Sequence, residues 1–102
     1  MVKLILISWR DIPSQVIVQR GRQREKAMLS QRFQEAIDRA AMRAGKGSSD
    51  AYIAEWRRDR KALETDDDLG AIARGTVDKL ESEYSDERLS QLIRDQGQQD
   101  PQ

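Results

Sequence analysis

Val2 to Trp9 is apolar on both sides of an alternating pattern, with Leu4 and Leu6 on one side and Ile5, Ile7 and Trp9 on the other. Successive strand side chains point to opposite faces, so this segment wants cover above and below and predicts a central strand. Everything else must be arranged around it. Arg10-Asp11-Ile12-Pro13 reads as a short connection, with Pro13 at a turn or strand start because it cannot donate to a ladder. Arg10 and Asp11 are expected to form a local ion pair that holds this turn, and a surface binding motif is the other reading. Ser14 to Arg20, centred on Val16, Ile17 and Val18, predicts a second strand, and Gly21 ends the hairpin.

The period then changes. From about Gln23 to Ala44, Leu29, Phe33, Ala36, Ile37, Ala40, Ala41 and Ala44 recur three and four apart, the stripe of an amphipathic helix that ends at Gly45. Ala51 to Arg60 fits two patterns. Tyr52 and Trp56 stand a helical turn apart, yet Tyr, Ile and Trp also alternate as in a strand. A lone hairpin is marginal, so a third strand is expected here, antiparallel to the first. Arg58 to Thr65 reads as a charged linker. Asp66-Asp67-Asp68 opens a second long helix carrying Leu69, Ile72, Ala73, Val77 and Leu80, and Ser85 caps a short last one.

These readings add up to an α+β fold: a small antiparallel sheet packed by two long helices and a short C-terminal helix. The alternative is a two-stranded hairpin against an all-helical remainder. One domain is expected over residues 1–95, with 96–102 a disordered polar tail.

The chain contains neither cysteine nor histidine. Disulfides, thiolate chemistry, Cys-ligated zinc and the usual neutral-pH general base are therefore excluded. Asp66-Asp67-Asp68 lacks the alternating oxygens and glycine of a calcium loop. Asp78 and Glu81 fall on the exposed side of a helix, where a carboxylate pair has little cause for a raised pKa. No phosphate-cradling glycine loop or nucleophile elbow occurs. Catalytic residues, metal sites and cofactors are accordingly none. The short apolar block at Leu4–Ile7 matches neither a signal peptide nor a membrane span, so a cytoplasmic location is expected.

Charge is sorted along the chain. Residues 1–62 hold fourteen Lys/Arg against seven Asp/Glu, and residues 63–102 hold four against eleven, so the net zero conceals two opposite excesses. Such a domain can present a basic and an acidic surface. The basic half concentrates in two clusters: Arg20, Arg22, Arg24 and Lys26 where the long helix is expected to begin, and Arg57, Arg58, Arg60 and Lys61 after Trp56. Cations at a helix N-terminus oppose its dipole, which suggests an anion or partner site; a solvated turn is the plainer reading. Trp9 and Trp56 are expected in the core.

Several segments resemble a known family: Ser8-Trp9-Arg10-Asp11-Ile12-Pro13, Ala36 through Gly45, Tyr52 with Glu55-Trp56-Arg57, and Asp86-Glu87-Arg88-Leu89. Together they are similar to the small bacterial "virulence factor" domain proteins and to a domain of the conserved virulence factor C proteins. The resemblance spans about Val2 to Ile93. Relatives carry a Gly/Pro-rich stretch after the Trp-Arg, whereas Asp59 to Thr65 is charged here. The family name records a phenotype, so the resemblance implies no substrate or catalytic residue.

Three functions remain. The first is a non-enzymatic interaction or accessory module with a protein partner, docking through the basic and acidic surfaces. The second is nucleic-acid binding through Arg20–Lys26 and Arg57–Lys61. The third, suggested only by the resemblance, is an accessory of a one-carbon or methyl-transfer enzyme. No membrane partner is implied.

Overall fold

Val2–Trp9 forms strand β1, central in the sheet with a strand on each side, as expected. The computed structural model describes residues 1–98. Along the chain β1 is followed by β2 (Ile12–Arg20), β3 (Gln23–Met28), α1 (Gln31–Arg43), α2 (Ser49–Ala54), β4 (Trp56–Leu63), α3 (Leu69–Glu83) and α4 (Asp86–Arg94). The strands make one antiparallel sheet in the order β3-β2-β1-β4. The α+β class holds, with one more strand and one more short helix than expected.

The extra strand corrects the start of the first long helix. Gln23–Met28 has helix-forming composition, yet it pairs with β2 from Arg20 opposite Gln23 to Gln15 opposite Met28. The cause is the two-residue turn Gly21-Arg22, where Gly21 takes φ +59°, as the first central position of a type II′ hairpin turn demands. Local propensity loses to a turn that returns the chain alongside β2. The helix begins only at Gln31, after Ser30.

A second correction concerns residues 51–60. Ser49–Ala54 is a helical turn and a half, and the strand starts at Trp56, running to Leu63 through what reads as a linker. Trp9 helps fix this switch. Its ring is fully buried, stacks on Tyr52 with centroids 6.1 Å apart, and donates Nε1–H to the Tyr52 carbonyl at 2.9 Å. The carbonyls at a helix's last turn are short of intrahelical partners, and the indole adds to the long 3.4 Å bond that the Tyr52 carbonyl accepts from Glu55 N–H.

Pro13 sits inside β2, opposite Ser8, where the β1–β2 register slips by one residue, a position that asks no ladder hydrogen bond of it. Asp68 caps α3 by accepting from the Ala71 N–H, and Ser85 caps α4 by accepting from the Arg88 N–H, both as the sequence indicates.

Two apolar clusters join sheet to helices. Val2, Val16 and Val18 pack with Leu69 and Ala73 of α3. Trp9 and Ile12 pack with Phe33, Ile37 and Ala40 of α1 and Leu89 and Leu92 of α4. Each large side chain buried this way contributes roughly 1.5–3 kcal/mol. Residues 95–97 belong to the fold and do not begin a free tail: Asp11 N–H donates to the Gly97 carbonyl and Gly97 N–H to Leu92. Residues 99–102 lie outside the described residues.

Candidate interaction surface

Both edge strands carry a cation-acid-cation triplet: Arg24-Glu25-Lys26 in β3 and Arg58-Asp59-Arg60 in β4. A strand's two-residue period sends the middle residue to one face and its neighbours to the other. The register shows which is which. Leu6, on the side that packs α3, stands opposite Asp59; Ile5 and Ile7, on the other side, stand opposite Arg60 and Arg58. Likewise Val18 stands opposite Glu25, and Ile17 opposite Lys26. By this alternation both acids share the side of α3 and the four cations the opposite one, with Arg24, next to the turn, also bordering the cleft against α3.

The face turned away from α3 therefore has a simple layout. One cross-strand row reads Lys26, Ile17, Ile5, Arg60; beside it runs Arg24, Gln19, Lys3, Ala62, and on the other side Met28, Gln15, Ile7, Arg58. These rows contain five cations and no carboxylate. None of the five forms a salt bridge among the described residues. With strands 4.7–4.9 Å apart, the cations on the two edges are separated by about 14 Å across the sheet.

Between the two edges lies an apolar strip. Ile5, Ile7 and Ile17 are 7%, 9% and 3% exposed, and among the described residues the hydrophobic side chain packed against their cluster is the partly buried Trp56 of β4. Stems of long basic side chains can shield such a strip while their heads stay in water. Gln15 Oε1, on the same face, is buried without a hydrogen-bond partner.

The remaining basic residues have other positions. Arg20 points to the helix side and donates to the carbonyls of Thr65 and Asp67 at 3.0 and 2.8 Å, tying β2 to the chain before α3. Arg22 is exposed at the turn tip. Lys61 stands opposite Leu4, and Arg57 opposite Ser8, so both leave the open face. Since the first cluster lies on a turn and a strand, the expectation of cations crowding a helix N-terminus does not apply.

Arg10 and Asp11 each reach to distant parts of the chain. Buried Arg10, at φ +51°, donates to Glu55 Oε1 at 3.2 Å and to the Gln96 carbonyl at 2.9 Å, while Asp11 accepts from Arg57 at 3.3 Å. They clamp β4 and the chain after α4 to the hairpin, which is a packing role.

Part of the acidic half is engaged internally as well. Glu81 accepts from Ser30 N–H and Oγ–H and from Arg32, and Arg32 also bridges to Asp86. Burial pushes the Glu81 carboxyl up, but those hydrogen bonds and the Arg32 charge outweigh it and hold it below its ordinary value. Glu55 is held low chiefly by the Arg10 hydrogen bond, against opposing burial, with the charges of Arg10 and Lys46 helping.

Residues 7–93 match the family model described as Virulence factor. The chain belongs to the Virulence factor family. No curated protein and no solved structure matches it.

In this Virulence factor domain the side chains of two clefts already have partners within the fold. A cleft of about 350 Å³ lies between the β2–β3 turn and α3, lined by Arg20, Arg24, Glu25 and Asp68. Arg20 there holds backbone carbonyls and Asp68 caps the helix, so both already serve the fold. A second cleft of about 360 Å³ includes Tyr52 and Asp38. Burial pushes the Tyr52 hydroxyl up, opposed by its bond from Gln34 and reinforced by Asp38, which keeps it a neutral phenol. Among the described residues no His/Cys/Asp/Glu group could hold a metal, and no helix is long and apolar enough to cross a membrane.

Sequence reasoning missed Lys3 and the Ile5-Ile7-Ile17 strip as parts of this surface, and Glu55, Gln96 and Gly97 as partners of the hairpin turn. The two triplets were a usable signal for the first group. For the second there was none, because the contacts join residues 45 to 86 positions apart.

Proposed function

We propose that this Virulence factor domain is a non-enzymatic accessory module that docks an acidic protein partner on the open face of its sheet. The observation behind it is the sorting of the triplets, which leaves Lys3, Arg24, Lys26, Arg58 and Arg60 on one face with no carboxylate and no salt bridge. Self-repulsion of five cations on one face is relieved when an anionic surface covers them. The apolar strip beneath offers area to bury once the basic side chains move aside. It also favours a protein over a nucleic acid, since bases stack on exposed aromatic rings and the rows above Trp56 carry none. The acidic half contributes less to docking than the basic one, with Glu81 and Asp86 both tied to Arg32.

The test is cross-linked affinity capture from the protein's own cells, with nuclease treatment, comparing Arg24→Glu/Arg60→Glu with Arg39→Glu/Arg43→Glu on the exposed side of α1. The first pair should lose the partner and the second keep it, with capture weakening as salt rises. Equal capture by both pairs sinks the proposal. Loss of the captured material on nuclease digestion would transfer the surface to nucleic acid.

A further inference from the structure

The sheet has two unlike edges. β3 is backed by α3, which packs against β2 and β3. β4 has no such support: Arg57 through Ala62 are exposed on both faces, and of its residues only Leu63 joins the cluster with α3. Among the described residues the outer side of β4 faces no strand, and it spans eight residues. A long strand in that position presents a row of backbone N–H and C=O groups that a further strand could pair with.

The side chains of β4 decide which strand. Arg58 and Arg60 project to the open face, Arg57 and Lys61 to the helix side, with Asp59 between the latter two. A second copy of β4 would bring like charges opposite each other, which destabilises pairing. An extended segment with alternating carboxylates meets cations instead. The same residues that prevent self-association therefore select an acidic guest.

We infer that the acidic partner presents an extended segment that pairs with the free edge of β4, adding a strand to the sheet. This rests on the proposed docking function and names its mode. Main-chain hydrogen bonds then supply affinity, and Arg58 and Arg60 supply selection and orientation.

The probe is a synthetic alternating Glu–Val peptide as long as β4, beside a version N-methylated at every second residue. N-methylation removes backbone donors and keeps the side chains. At low salt the unmodified peptide should bind, slow hydrogen exchange of the Arg57–Leu63 amides, and bind about tenfold more tightly than the methylated one. Equal binding of the two, or binding without amide protection in β4, overturns strand addition while leaving face docking intact. Failure of the unmodified peptide to bind also overturns it, and the capture experiment then judges the docking function separately. Tighter binding of a dT oligonucleotide than of the peptide would overturn both.

Discussion

A Cβ placed on Gly97 would stand 2.9 Å from Cζ3 of Trp9. That approach locks the chain after α4 against the central strand. Gly97 also adopts φ +82°, a conformation that side-chain-bearing residues rarely take. Gly97→Ala is therefore expected to destabilise by about 1–3 kcal/mol, read by urea unfolding. Gly75→Ala is the matched control. Gly75 lies inside α3 with nothing within 4 Å of a new Cβ, and the change should stabilise by about 0.5–1 kcal/mol. Two substitutions of the same kind should differ in sign; equal effects would show that the Trp9 contact is not limiting.

Arg10 acts on the same joint. Its replacement by Met removes donors to Gln96 and Glu55 but keeps much of the apolar stem, and should cost about 1–3 kcal/mol. Because Arg10 and Gly97 hold one chain segment, the double variant Arg10→Met/Gly97→Ala should lose less than the two separate losses combined. Strict additivity in a double-mutant cycle would refute a shared clamp.

Acid should weaken the fold through Glu55 and Glu81. Both carboxyls titrate lower folded than in an unfolded chain, so their contribution is complete above the unfolded carboxylate pKa. It disappears as the pH falls through the depressed folded values. Glu81→Gln should therefore flatten the decline of unfolding free energy on the acid side, measured by urea titrations at stepped pH. An unchanged acid slope would mean that Glu81's bonds to Ser30 and Arg32 add nothing to stability.

Charge reversal on the open face should separate binding from folding. Arg24 and Arg60 are exposed and form no salt bridge among the described residues, so Arg24→Glu/Arg60→Glu should shift stability by no more than about 0.5 kcal/mol. Calorimetry on both proteins checks this. A large loss of Tm would assign those cations to the fold.

The central position of β1, the stripes of α1 and α3, and the caps Asp68 and Ser85 could all be read directly from residue order. Each depends on neighbours within a turn or two, where sequence spacing equals spatial spacing. Gln23–Met28 could not be read that way, because a helix-forming composition was overruled by pairing with β2, set up by the Gly21 turn. Trp56–Leu63 was half legible: a third strand antiparallel to β1 is expected over 51–60, but the charges from Arg58 onward read as a linker until β1 supplies the ladder.

Alternation in Arg24-Glu25-Lys26 and Arg58-Asp59-Arg60 was already fixed by the amino-acid order, and with it the separation of acids from bases. Which side each would face, and that the two edges would put their cations on one common surface, followed only from the register of four strands and the packing of α3 on the opposite side. Local order determines periodicity, whereas the choice of face is made by the burial of Val2, Val16 and Val18 against α3, a contact between distant parts of the chain.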